Sequence, residues 1–331
     1  MDMLSRLLDL ARPQASLDLR CLLSGGFDID HGPLEAGIAP FHLVLGGACL
    51  IEADDGTELP LRTGDFVLFP RGAAHRVRDV ARSSVTTPIT QSHDGMLPVR
   101  QSGNGKSNGN SKASANHETT NTRAADVDLL CGRFLYAPGS SALLLNALPD
   151  PFHVSLEGTQ ALDSLQTVTD LMRTEAERRQ PGALAIVTAL SHALFTMALR
   201  VHGERNASGS GVLTLLADAR LGASVQSMLN APERAWTIAE LGDVAAMSRA
   251  TYARHFNERA GMTVMDFLTQ IRMTIACDLL RRTQRSAAEV GEMVGYQSEA
   301  AFGKAFQQSV GVTPGRYRRR REEGDEKGQS E

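Results

Sequence analysis

Two stretches of this chain, fifty residues apart, are written in one pattern. Residues 248–256 read Ser248-Arg249-Ala250-Thr251-Tyr252-Ala253-Arg254-His255-Phe256, and residues 298–306 read Ser298-Glu299-Ala300-Ala301-Phe302-Gly303-Lys304-Ala305-Phe306. Ser248 answers Ser298, Ala250 answers Ala300, Tyr252 answers Phe302, Arg254 answers Lys304 and Phe256 answers Phe306. The match continues through Gly261/Gly311, Thr263/Thr313 and Phe267/Tyr317, and upstream Glu240-Leu241-Gly242 matches Glu289-Val290-Gly291 at an offset of forty-nine. Agreement over this span is an internal duplication, so the last third of the chain must build one small unit twice.

Each copy has a local reading. Thr237–Ala246 and Ser286–Val294 predict a first helix, with Thr237 or Ser286 as N-cap and a glutamate three residues later completing a capping box. A short turn follows, at Met247 in one copy and at Gly295-Tyr296-Gln297 in the other. Ser248 and Ser298 cap a second helix whose aromatics at i and i+4 lie on one face as a small core. The opposite face carries Arg249, Ala250 and Arg254, or Glu299, Ala300 and Lys304. Gly261 and Gly311 end these helices, and Val264–Arg282 predicts one long helix between the copies. This is helix-turn-helix geometry, with a second helix sized for a DNA major groove.

Charge agrees. The whole chain carries a net −4, yet residues 212–321 hold 15 Lys+Arg against 10 Asp+Glu, as suits a polyanionic partner. The region about 213–321 resembles the AraC/XylS-type DNA-binding domain, through Trp236-Thr237-Ile238-Ala239-Glu240-Leu241, Met247-Ser248-Arg249, and Gly295-Tyr296 with Gly311-Val312-Thr313-Pro314-Gly315-Arg316-Tyr317-Arg318. Val264 departs from the proline usual at its position. The resemblance implies that both second helices enter successive major-groove faces about one helical turn (~34 Å) apart. Ser248, Arg249, Ala250, Ala253 and Arg254 would serve the first, with Arg254 the best candidate for a bidentate guanine contact. Ser298, Glu299, Ala300 and Lys304 would serve the second. Promoter DNA and RNA polymerase are the implied partners. The Arg318–Arg321 run is expected at phosphate or solvent.

The amino-terminal half reads differently. Residues 17–80 alternate short β runs (Phe41–Leu45, Cys49–Glu52, Phe66–Phe69) with turn chemistry at Gly46-Gly47, Asp54-Asp55-Gly56 and Thr63-Gly64-Asp65. The β pattern resumes at Val127–Tyr136 and Ala142–Leu148. Between about 83 and 125 the composition turns to Ser, Asn, Gly, Thr and Lys, which predicts a disordered insertion. Residues 159–179 and 182–203 predict a helical hairpin, the second helix apolar nearly all round and the pair a candidate homodimer face. Residues 207–212 read as a Ser/Gly linker, and 322–331 as an acidic disordered tail. The expected fold class is multidomain α+β. Residues 1–157 form a cupin-like sensory β-barrel, 158–206 a hairpin connector, and 213–321 an all-α domain with two helix-turn-helix units.

Gly64-Asp65-Phe66-Val67-Leu68-Phe69-Pro70-Arg71-Gly72-Ala73-Ala74-His75 is similar to the second cupin motif, with Asp79 in place of its final asparagine. Of the first motif only His42 stands, with Val44 at its second histidine position. An enzymic metal centre takes three or four protein ligands. His42 and His75 alone therefore suit a pocket, or a regulatory metal completed by Cys131 or His31, better than the metal centre of a cupin metalloenzyme, which is the alternative function. Among AraC-type regulators with a cupin sensory domain, the chain resembles the reactive-chlorine-sensing subgroup at Met1–Leu8, Cys21, His31-Gly32, Phe41-His42 and Leu130-Cys131-Gly132. That resemblance implies that Cys21 and Cys131 are a redox pair, and that Cys49 and Cys277 are not. Arg20 and Arg133, their sequence neighbours, would favour a reactive thiolate. A small organic effector in the barrel, or a metal, remains the other signal. With no span of about 18 apolar residues and no signal-peptide core, a cytoplasmic regulator that needs no cofactor and no membrane is expected, and not an enzyme.

Overall fold

The computed structural model describes residues 2–92, 97–102, 125–137, 139, 142–155, 162–178, 180–206 and 211–319. The strands are β1 (Gln14–Leu23), β2 (Asp28–His31), β3 (Ile38–Ala53), β4 (Glu58–Arg62), β5 (Phe66–Leu68), β6 (His75–Arg78), β7 (Ile89–Ser92), β8 (Val99–Ser102), β9 (Val127–Leu135) and β10 (Phe152–Val154). The helices are α1 (Met3–Ala11), α2 (Ala142–Leu145), α3 (Leu162–Arg178), α4 (Ala183–Arg205), α5 (Thr214–Ala217), α6 (Gly222–Asn230), α7 (Ile238–Val244), α8 (Arg249–Ala260), α9 (Val264–Arg282), α10 (Ala287–Met293) and α11 (Glu299–Val310). Two compact units result. One takes Ala15–Leu135 and Asp150–Ala198; the other takes Met1–Gln14, Tyr136–Pro149 and Leu199–Glu331. These units differ from the consecutive domains read from the sequence, because α1 and α2 group with the carboxy-terminal helices.

The first unit is a curled sheet, ordered β10-β5-β3-β9-β1-β8-β7, with β2, β4 and β6 paired off that path. Gly46-Gly47, expected as a turn, lies inside the 16-residue β3. The β3–β9 register shifts between Val44 and Gly46. Gly47 has φ +79°, and a Cβ there would stand 1.8 Å from the Asp126 carbonyl oxygen, so only glycine fits. A bulge of this kind bends a strand without ending it, and it lets β3 pair with β9 and β5 and also with β4 and β6. The inner face packs Leu23, Phe27, Val44, Ile51, Val67 and Phe69 together with Cys21, Cys49 and Cys131.

The outer aromatics Phe41, Phe66 and Phe134 gather under Phe195 of α4, whose ring lies 4.7 Å from Phe134 and 6.4 Å from Phe66. By length and composition α4 could cross a membrane. Its buried Val187, Leu194, Phe195 and Ala198 give that apolar surface an intramolecular use. α3 is tied in through Arg20 of β1, which donates to both oxygens of buried Asp128 at 2.8 and 2.6 Å and to Glu177 at 3.3 Å.

Two expectations need correction. Residues 83–102 are not wholly a disordered insertion: β7 and β8 form an antiparallel pair there, and β8 runs parallel to β1. Buried Leu97 and Val99 supply the apolar anchor that a polar average concealed. The rest of that segment, residues 93–96 and 103–124, lies outside the described residues, as do 207–210 and the tail 322–331. Second, Ala142–Leu148 is helical at α2, with Leu143, Leu144 and Leu145 all buried. A short continuous apolar run does not distinguish a strand from a buried helical turn.

In the second unit, Met3, Leu7 and Leu10 of α1 join Leu143, Val225, Met228, Trp236, Tyr252, Phe256 and Phe267 in one core. A smaller core gathers Met273, Ala276, Leu280, Val290, Phe302 and Phe306. Both rest on the central helix α9, found over the span the sequence predicted.

Candidate nucleic-acid interface and sensor site

The duplicated units are built as their caps dictate. Thr237 and Ser286 each form a capping box with Glu240 and Glu289. Ser248 and Ser298 accept from the Thr251 and Ala301 amides, fixing the starts of α8 and α11. Helix packs tightly on helix at the paired glycines. A Cβ on Gly242 would meet the Met247 carbonyl at 2.9 Å, and one on Gly291 would meet Phe302 Cβ at 3.0 Å. Tyr252 and Phe256, and likewise Phe302 and Phe306, are fully buried.

With those faces inside, the others are presented outward. Ser248, Arg249, Ala250, Arg254, Ser298, Glu299, Ala300 and Lys304 are exposed, and Ala253 is half-buried. Exposure follows the same order along α8 and α11 from Thr251 to Glu258 and from Ala301 to Gln308. Among the described residues no ion pair takes Arg249, Arg254 or Lys304, so their cationic groups are available to a partner. Neighbouring basic side chains are spoken for. Arg259 and His255 both reach Asp218, at 3.1 and 3.0 Å. Arg318, expected at phosphate or solvent, donates to the carbonyls of Leu280 and Arg285. Repetition in the sequence found the presenting face, but it could not tell the structural cations from the free ones.

The relation between the two units runs through α9. Arg272 donates to the Pro232 carbonyl at 2.7 Å and to the Arg234 carbonyl at 2.9 Å. The same guanidinium lies 5.7 Å from the Tyr296 ring centroid. The loop before the first unit and the turn of the second therefore grip one side chain.

In the sheet unit, His31 of β2, His42 of β3 and His75 of β6 come together. Antiparallel pairing sets His31 opposite His75, and their rings stack at 4.8 Å, with Phe69 on the other face of His75 at 3.8 Å. His75 Nδ1 lies 3.0 Å from the Ala73 carbonyl, which can only accept, so the His75 proton sits on Nδ1. His75 Nε2 is then a bare acceptor, and His42 Nε2, 2.7 Å away, must be the donor. His42 Nδ1 is left to accept from the Cys131 thiol at 3.1 Å. Burial, followed by the field of neighbouring imidazoles, holds His31 down at about 4 and His42 well below its ordinary value. Burial also lowers His75.

Cys21 and Cys131, the pair singled out by resemblance, are adjacent: a hydrogen bond with Cys21, and then burial, push the Cys131 thiol well up. Cys49, set aside by the sequence reading, packs in the same cluster and is pushed up to about 12 by burial. The expected thiolate activation by Arg20 and Arg133 is overturned. Arg20 points to Asp128 and Arg133 holds Asp18 at 2.9 Å, so carboxylates engage both guanidinium groups; Arg20, directly before Cys21 in its strand, also faces the opposite side of the sheet. The group that faces Cys131 instead is the neutral His42 imidazole, through Nδ1. A cavity of about 320 Å³ opens beside His31 and His75, rimmed by Asp30, Glu52, Asp54 and Arg76.

Comparison with known proteins bears on both halves. The family described as Cupin matches residues 2–204, and the one described as Helix-turn-helix domain matches 241–320. The HTH-type transcriptional regulator MtrA of Neisseria gonorrhoeae is 34% identical over 96% of this chain and 98% of its own. The RCS-specific HTH-type transcriptional activator RclR of Escherichia coli K12 is 30% identical over 97% and 98%. A putative AraC-like transcription regulator of Streptomyces lividans is 28% identical over 96% and 98%. These relatives are regulators, which removes the cupin metalloenzyme alternative. The chain belongs to the AraC-type helix-turn-helix transcriptional regulators that carry an amino-terminal cupin domain.

Proposed function

We propose that this regulator binds promoter DNA through α8 and α11 together and activates transcription when its cupin unit registers an oxidant. The observation that carries the DNA reading is the matched outward face of the two helices, with small Ala250, Ala253 and Ala300 allowing close approach and Arg249, Arg254 and Lys304 unpaired. Arg254 reads a guanine bidentately, and α8 contributes more base readout than α11, whose Glu299 opposes phosphate. RNA polymerase is the partner of the bound protein. A homodimer through α3 and α4 is supported by the exposed Leu171, Leu184 and Ile186. DNA binding requires no cofactor, and the site of action is the compartment that holds the promoter.

The oxidant reading is supported by the Cys21–Cys131 adjacency and by the likeness to RclR, an RCS-specific activator. Hypochlorous acid transfers chlorine to one thiol with loss of water, and the second thiol displaces chloride. Two thiols and one HOCl give a disulfide, water, chloride and a proton. Replacing Arg254 by Ala should cost ~1–3 kcal/mol of site affinity and relax preference at one base pair. Unchanged affinity in fluorescence anisotropy contradicts the assignment. Mass spectrometry after stoichiometric hypochlorite should find a Cys21–Cys131 link; no link, with promoter binding unaltered, removes the redox arm.

A further inference from the structure

We propose that His31, His42 and His75 form a binding site for one divalent transition-metal cation of the zinc class, independent of the redox reading of the cysteines. One ligand nitrogen from each imidazole lies within 4.8 Å of the others, and the three come from three different strands of one curled sheet. His42 and His75 are buried and His31 is half-buried, and His31 and His75 line the cavity beside them.

The hydrogen bonds already orient two of the ligands. Ala73 holds the His75 proton on Nδ1, which turns the Nε2 lone pair toward His42, and this backbone partner is the outer support that metal-bound imidazoles usually have. A shared proton now fills the 2.7 Å gap between His42 Nε2 and His75 Nε2. A tetrahedral ion with metal–nitrogen bonds of about 2.0–2.1 Å takes the place of that proton, which moves to His42 Nδ1 and there faces the Cys131 sulfur as acceptor, and the gap opens to roughly 3.3 Å. The movement is well under one ångström. Three imidazoles suit zinc, copper or nickel rather than magnesium or calcium.

The fourth coordination position faces the cavity of about 320 Å³, so water or a small anionic effector can complete the shell. Asp30, Glu52 and Asp54 at the rim favour entry of a cation, although Arg76 is held there by Asp30. Cys131 is not a ligand in this arrangement. Its sulfur lies at His42 Nδ1, across the ring from the nitrogen offered to the ion. The choice left open by the sequence, completion by Cys131 or by His31, goes to His31.

The test uses the full chain, stripped with a chelator and titrated with Zn²⁺ by calorimetry and with Co²⁺ by visible absorption. Wild type and Cys131→Ser should each bind one ion per chain, and the Co²⁺ form should show tetrahedral ligand-field bands without a sulfur charge-transfer band. His31→Gln and His75→Gln should lose this stoichiometric binding, and at pH 7.5 His31→Gln should keep the circular dichroism spectrum and melting curve of the metal-free wild type. His31 is half-exposed, so its variant is the one that keeps the fold secure. Failure of the wild type to bind either ion overturns the proposal, as does undiminished binding by His31→Gln. Loss of binding in a folded Cys131→Ser variant, or a sulfur band in the wild type, also overturns it.

Discussion

The turn inside each repeated unit offers a graded test of how the second unit is fixed. Ala246 and Gly295 occupy equivalent left-handed positions, at φ +53° and φ +86°. An alanine is therefore tolerated there in the first unit, at the usual left-handed cost of roughly 1–2 kcal/mol. Gly295 carries a second constraint. A Cβ at that position would stand 2.4 Å from the Glu233 carbonyl oxygen and 2.9 Å from an Arg272 nitrogen. The oxygen cannot yield easily, because Arg272 pins the carbonyls on either side of it, at Pro232 and Arg234. Gly295→Ala should then cost the left-handed penalty plus an overpacking cost of about 1–3 kcal/mol, some 2–5 kcal/mol in all.

Gly261→Ala is the control. It has φ +72° with nothing within 4 Å of the added methyl, and should cost only roughly 1–2 kcal/mol. Ala246→Gly should stabilise by about 0.5–1 kcal/mol, the relieved strain being partly offset by greater freedom of the unfolded chain. Urea unfolding read by Trp236, the only tryptophan and a member of the larger helical core, reports on the compact helical unit that holds all three positions. The reasoning is refuted if Gly295→Ala is no worse than Gly261→Ala, or if Ala246→Gly destabilises.

Two further outcomes follow from the sheet unit. Arg20→Ala strands the buried Asp128 carboxylate and should cost about 3–5 kcal/mol, whereas replacing both partners by apolar residues should recover much of that; equal melting temperatures for the single and double variants would contradict the buried-pair account. His31, His42 and His75 all bind protons less readily in the folded chain, with His31 falling from 6.5 to about 4. The unfolded chain then binds more protons below pH 6.5, so stability is full above that value and lost as pH falls from 6.5 toward 4. Thermal melts of metal-free protein should show this, with His31→Gln flattening part of the slope; a melting temperature constant between pH 7 and 5 would oppose it.

What was legible in the sequence divides along physical lines. The helix-turn-helix units were readable because they repeat, and because caps such as Thr237 with Glu240 and helix-ending glycines such as Gly261 act locally. Val264–Arg282 was predicted to the residue for the same reason. The sheet unit depends on pairing between distant strands, which no local pattern encodes. Gly46-Gly47 looks like a turn until Asp126 is known to lie against it, and Leu97 with Val99 are too few to mark β8 in a polar stretch. Arg20 and Arg133 are close in sequence to Cys21 and Cys131, but Asp128 and Asp18, distant in sequence, take their guanidinium groups. His31 could be named as a possible third ligand, yet its alignment with His75 is a property of register alone.

The central claim is that both copies of the unit read DNA as a pair. Hydroxyl-radical footprinting of the full chain on a duplex it selects from a randomised pool tests this most directly. Two protected patches on one face of the duplex, roughly one helical turn apart, are predicted, with Arg254→Ala weakening the patch under α8 and Lys304→Ala the patch under α11. A single protected patch, or protection with no sequence preference, would contradict the account.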